Sequence, residues 1–141
     1  MSAGTGVMHS EFNNSPENLV HFLQIWIEPA AKGIEPGYEE KHFDVASKQG
    51  RLRLIASPNG SEGSVTIHQD ARLYVSLLEG NASVTHVLHP VRSAYLHLIR
   101  GKLTVNGQRL GTGDALKMTG EDKITADQAE SAEFLLFDLP Y

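Results

Sequence analysis

Arg72-Leu73-Tyr74-Val75-Ser76-Leu77-Leu78 alternates until its last residue, with Leu73, Val75 and Leu77 on one side and Arg72, Tyr74 and Ser76 on the other. Successive side chains of an extended chain point to opposite faces, so this period of two predicts a strand with one buried and one wetter face. Outward from it, short apolar stretches of the same kind recur between Gly, Pro, Asn and Asp. They predict strands over residues 20–27, 51–55, 64–68, 72–78, 83–88, 95–100, 102–105, 115–118, 123–126 and 133–139. Many short strands without a convincing long helix describe an all-β chain, a jelly-roll-like antiparallel barrel or sandwich.

A lone Gly101 separates the two stretches at 95–100 and 102–105, and Asn106-Gly107 follows as a two-residue hairpin signal of the type I′ kind. Residues 28–38 hold Pro29, Gly33, Pro36 and Gly37 and read as an irregular connection, because proline cannot donate to a ladder and glycine weakens one. A boundary near this connection divides an N-terminal arm, residues 1–40, from a barrel, residues 41–141.

Composition narrows the function classes. The 141 residues suffice for one ordinary domain with a short appendage, and 40% hydrophobic with 21% charged residues is the normal globular range. The net charge is −5, and the 12 Lys and Arg are scattered, so the basic footprint that nucleic acid or an anionic membrane requires is missing. Without cysteine there is neither a disulfide framework nor a thiolate metal site, and any metal must sit on His and carboxylate ligands. No apolar run reaches the roughly 20 residues of a membrane span. The opening Met1 to Gly6 has no secretory pattern, so the expected location is cytoplasmic. The glycosylation-like triplets at Asn13, Asn59 and Asn81 are then turn residues.

The sharpest chemical feature is His9-Ser10-Glu11. On an extended segment, positions two apart share a side, so an imidazole and a carboxylate converge as a first-row metal pair would require. Taken alone, an H-x-E triplet is also common on solvated strand ends. Gly4-Thr5-Gly6 opens no helix and is too short to cradle a phosphate. Trp26 and Phe22 share one face and read as core. Asp70 and Arg72 read as a surface ion pair. His21, His42, His68 and His97 read as hydrogen-bonded structural residues.

The segment Met1-Ser2-Ala3-Gly4-Thr5-Gly6-Val7-Met8-His9-Ser10-Glu11-Phe12-Asn13 resembles the stretch that closes the metal site of the N-terminal cupin barrel in pirin-like proteins. Leu23-Gln24-Ile25-Trp26-Ile27 resembles the strand that follows, and Ile67-His68-Gln69-Asp70-Ala71-Arg72-Leu73-Tyr74 the start of the second barrel. Gly101 to Gly107, Gly113-Asp114 and Phe137-Asp138-Leu139-Pro140 continue the likeness along almost the whole chain. The resemblance implies a bicupin, in which three His and one Glu hold a divalent metal, iron first among them, and some members oxidise quercetin-type flavonols as 2,3-dioxygenases. On that resemblance His9 and Glu11 correspond to the third His and the Glu, with Glu11 also the base that takes the substrate's hydroxyl proton.

The other two ligands have no counterpart in this chain. It is therefore expected to be the C-terminal part of a pirin-like protein, as a truncated reading frame, a cleaved product or a deliberate fragment. Alone it should hold metal weakly and turn over little substrate. In the second barrel a G-x5-H-x-H element places Gly80 and His86 in step, but Leu88 stands at the second His and Lys123 near the expected place of a later one. That barrel is expected to be metal-free, with His86 and His89 facing opposite ways. The alternative function is a metal-free cupin module with a structural or protein-binding, regulatory role, dimerising through its N-terminal arm or pairing with another cupin barrel.

Overall fold

The computed structural model describes all 141 residues. Apart from the one-turn helix α1 (Val45–Lys48), whose first turn is capped by the Asp44 carboxylate, and a 3-10 turn at Ser61–Gly63, the regular structure is strand. In chain order the strands are β1 (Arg53–Ser57), β2 (Val65–Thr66), β3 (Arg72–Gly80), β4 (Val84–Val87), β5 (Arg92–Val105), β6 (Gln108–Gly111), β7 (Ala115–Thr119) and β8 (Lys123–Pro140). They form one eight-stranded sheet in the order β2-β1-β3-β8-β5-β6, with β4 added to β8 and β7 to β5. All pairs are antiparallel except β1 with β2. No helix is long and apolar enough to cross a membrane.

Two long strands organise the rest. β5 and β8 run side by side from Arg92↔Pro140 to Val105↔Ala126, with register shifts around Arg100 and Lys102. Gly101 takes φ +85° there, and Gln128 and Ser131 of β8 also lie at positive φ. Extra residues of this kind bend a strand and increase its twist. The bend folds the sheet over: β3 pairs with the second half of β8, and β4 with the first. The predicted strands at 95–100 and 102–105 are thus one strand, as are those at 123–126 and 133–139. Asn106 and Gly107 both adopt positive φ between β5 and β6, the hairpin their sequence predicts.

The fold-over encloses the main core, where Leu78, Leu96, Leu98, Leu103, Phe134 and Leu136 are essentially solvent-free. A smaller cluster of Ala56, Leu73, Val75 and Leu135 lies on the opposite face of the sheet. This corrects the reading of residues 72–78: the alternation is real, but both faces are buried. The side expected to be wetter carries Tyr74, which packs on the main core, and Ser76, which is fully buried. Alternation reports two faces and not which one a neighbouring layer will cover.

The first 43 residues form no strand, so the strand predicted over 20–27 is absent. His21, Phe22 and Leu23 border a shallow space of about 240 Å³ against Val75, Ile99 and Leu135. Trp26 and Phe22, read from sequence as core, are 87% and 60% exposed, because the arm lies on the sheet as a single layer with nothing beyond it. β6 carries no strand pattern in sequence because Gln108-Arg109-Leu110-Gly111 has one apolar residue; the hairpin and its ladder to β5 make it a strand. Further on, Glu39 and Lys41 cover the edge of β2, where the Glu39 carboxylate accepts from Thr66 N (2.5 Å) and Lys41 Nζ donates to Ser64 O (2.7 Å). Such side-chain capping blunts an open sheet edge.

The bend can be tested directly. A Cβ on Gly101 would overlap the backbone carbonyl oxygens of Glu130 and Ser131, so Gly101→Ala should lower the urea midpoint markedly. Phe134→Ala, which empties the centre of the core, should cost about 3–5 kcal/mol in the same unfolding measurement.

Candidate functional site

The start of the arm folds back on its own end. Ser2 and Gly37 exchange backbone hydrogen bonds (2.8 and 3.0 Å), and Thr5 N donates to Ile34 O (3.0 Å). Gly4 sits where the two backbones cross, at φ +54°, and any Cβ there would strike Ile34 and Pro36. The Gly4-Thr5-Gly6 element thus serves a close backbone crossing. Just beyond it, His9 Nε2 and Glu11 Oε1 stand 3.6 Å apart, both roughly half exposed. The imidazole and carboxylate share one side, in a segment that is extended without being part of a sheet.

Two such groups fit part of the coordination shell of a divalent ion. Nowhere in the chain do three or more His, Asp or Glu side chains come together in a way that could hold one. His9 and Glu11 are two potential donors without a third beside them.

A second polar cluster lies at one end of the barrel interior, and the sequence did not reveal it as a unit. His86 on β4 and Asp138 on β8 meet across the folded sheet, Nε2 to Oδ2 at 2.8 Å. The other Asp138 oxygen accepts from Arg92 Nε at the start of β5. Arg92 Nη1 donates to Asp70 Oδ2 (2.8 Å), and Nη2 to the backbone oxygens of Asp70 and Asp138 (3.1 Å each). The Tyr74 ring tilts over the His86 ring at 4.9 Å between centroids.

Burial opposes charge on Asp138, but hydrogen bonds from His86 and Arg92 outweigh it and hold the carboxyl below its ordinary range. Burial likewise opposes the charge of Arg92, which Asp138 and Asp70 nonetheless keep firmly protonated. For the Tyr74 phenol, burial first and the Asp138 charge second raise the pKa. Every oxygen of Asp138 and the Nε2 face of His86 are thus committed to protein partners.

His89, beyond the end of β4, is exposed, and Leu88 is buried in the core where a second histidine would be needed. Lys123 is an exposed residue at the start of β8. The ion pair that the sequence suggests between Asp70 and Arg72 is instead one between Asp70 and Arg92, which the loop before β3 brings alongside. Of the four histidines read as structural, His68 makes a hydrogen bond, Nδ1 to Ser2 Oγ at 2.9 Å. One signal could have found Asp138: in Phe134-Leu135-Leu136-Phe137-Asp138 it has the parity of Phe134 and Leu136 and must face the core.

The charge cluster has a pH signature. An unfolded aspartate titrates near about 3.9 and the folded Asp138 lower, so its stabilisation is complete above about pH 4 and is lost as pH falls through the folded value. Asp138→Asn should lower stability at pH 7 by about 3 kcal/mol, by leaving the mostly buried Arg92 without its main counter-charge, and should flatten the acid limb of the stability curve. Urea unfolding from pH 7 to pH 2.5 measures both.

Comparison with known proteins agrees with this architecture. Residues 54–139 match the family described as quercetinase C-terminal cupin domain. The chain is 39% identical over 140 residues to quercetin 2,3-dioxygenase of Escherichia coli K12, which covers 99% of this chain and 59% of that protein. It is 45% identical over 141 residues to a putative quercetin 2,3-dioxygenase of Pasteurella multocida, again 59% of the relative's length. The chain thus spans about three-fifths of these relatives. The crystal structure of YhhW from Escherichia coli superposes with a TM-score of 0.76 at 34% identity, over 82% of this chain and 48% of that one. The bacterial pirin YhhW in complex with nickel(II) gives 0.73 at 34% identity, over 79% and 47%. With the folded cupin barrel and the family match over residues 54–139, the chain belongs to the pirin-like proteins and carries their quercetinase C-terminal cupin domain.

Proposed function

We propose that this chain is the C-terminal portion of a quercetin 2,3-dioxygenase-type protein, in which His9 and Glu11 form part of a divalent-metal centre and the barrel is a metal-free scaffold. The observation that carries this reading is the convergence of His9 and Glu11 at 3.6 Å. It is supported by relatives named for that activity along 99% of the chain. In this reading the remaining ligands belong to residues other than these 141; within the chain no third donor joins the pair. Iron is the metal the resemblance favours, and a solved relative holds nickel(II).

The substrate class is a flavonol. The metal, when bound, supplies a Lewis acid for the substrate's oxygens. Glu11 is half exposed and its carboxylate is open to a ligand, as a base that takes the substrate's hydroxyl proton must be. The barrel holds no second metal in this reading, because His86 and Asp138 bond to each other and to Arg92.

A second reading has its own observation. Phe12, Leu19 and Trp26 are 82%, 101% and 87% exposed along one arm, more apolar surface than a solvated segment carries without cause. As a free-standing module the chain would pair through this arm with a second copy or another cupin barrel.

Calorimetric titration of nickel(II) or anaerobic iron(II) into the chain should show weak binding. His9→Ala or Glu11→Ala should reduce it by at least the roughly 10–100-fold that loss of even an outer-sphere partner causes. Quercetin consumption with added iron should be slight. Brisk turnover unaffected by Glu11→Ala would overturn the assignment. Sedimentation equilibrium separates the second reading: a strict monomer at all concentrations excludes arm pairing.

A further inference from the structure

Residues 1–38 reach the body of the chain through few polar ties, and all of them end on two neighbouring residues. Ala30 N donates to His68 O (2.8 Å), Ser2 Oγ meets His68 Nδ1 (2.9 Å), and Gln69 Nε2 donates to Glu28 O (2.7 Å). The same Gln69 amide accepts from Asp70 N (2.7 Å). Asp70 in turn is gripped from inside the barrel by two donors of Arg92, through its carboxylate and its carbonyl. The loop before β3 therefore faces two ways, with the arm hung on its outer side and a mostly buried guanidinium, itself fixed by Asp138, on its inner side.

We propose that Arg92 is a positioning residue, which through Asp70 fixes the loop His68 to Asp70 and thereby sets where the arm stands on the barrel. Guanidinium suits the task. Its planar fork makes several bonds in one fixed geometry, whereas a lysine in the same place offers a single mobile ammonium that cannot span Asp70 and Asp138 together. The path is continuous: Glu28, Gln69, Asp70, Arg92, Asp138 and His86 follow one another by direct hydrogen bonds. The placement of the arm stands on these contacts alone. Its consequence, that Arg92 also places His9 and Glu11, rests on the metal reading above.

Hydrogen exchange followed by NMR on the whole metal-free chain tests the placement without reference to activity. Ala30 N reports the arm, and Asn106 N, which donates from the β5–β6 turn to Thr125 O on β8, reports the barrel. Asp70→Asn leaves Arg92, Asp138 and His86 bonded to one another and weakens the grip on the loop. It should speed exchange at Ala30 about tenfold while Asn106 is unchanged. Gln69→Ala, which cuts the outer link, should do the same without altering the melting temperature. Arg92→Lys should speed Ala30 by a larger factor than Asn106, whereas a residue that only stabilised the barrel would speed both alike, as Leu96→Ala should. An Ala30 amide that is unprotected in the unaltered chain, or one that ignores Asp70→Asn, would overturn the proposal. Because no metal is present, failure here is distinguishable from failure of the His9 and Glu11 assignment, which the metal titration decides.

Discussion

The antiparallel ladder between β5 and β8 carries the architecture, because it is the most extended pairing in the sheet, from Arg92↔Pro140 to Val105↔Ala126. A straight ladder of this length would be a flat ribbon with its apolar residues exposed. The bend at Gly101, Gln128 and Ser131 turns it over on itself, so that Leu96 and Phe134 at one part of the ladder face the same interior as Leu103 and Val105 at another. Every shorter strand then has a place fixed by its partner: β3 and β4 on β8, β6 and β7 on β5, β1 on β3 and β2 on β1. Burial of the apolar faces drives this closure, and the glycine makes it sterically accessible.

Closure also explains why a charged group survives inside. Asp138 lies near the end of β8, where the fold-over brings β4 and the start of β5 against it. A buried carboxylate without partners would be strongly destabilising, and here a guanidinium and an imidazole take both oxygens. The same arrangement separates the two histidine systems of the chain by role. His86 is bound into a structural network, while His9 stands open on the arm beside Glu11, half exposed and without other partners.

The fold class was legible because strand periodicity is local. The stretches at 72–78, 83–88 and 115–118 appear within one or two residues of β3, β4 and β7, and the Asn106-Gly107 turn is where its positive-φ preference places it. Residues 20–27 have the same local pattern but no strand partner, since hydrogen-bonded neighbours and not alternation alone make a strand. The pairing of His9 with Glu11 was equally local, a consequence of a two-residue spacing in extended chain. Asp138 shows only by parity that it faces the core, and nothing local pairs it with Arg92 or Asp70: the three are 22 to 68 residues apart, and charged residues at that separation carry no mark of their partners.

The amino-acid sequence by itself determined an all-β chain of many short strands, the hairpin at Asn106-Gly107, and an imidazole and carboxylate placed together near the start. Those are properties of neighbours along the chain, set by backbone sterics and by which side a residue takes in an extended segment. Only the tertiary structure decided that both faces of β3 are covered, that Trp26 is bare, and that Asp70 answers to Arg92 instead of Arg72. Each of these depends on what another layer brings to a surface, and that is fixed by the long-range closure of β5 on β8, which no local stretch of residues contains.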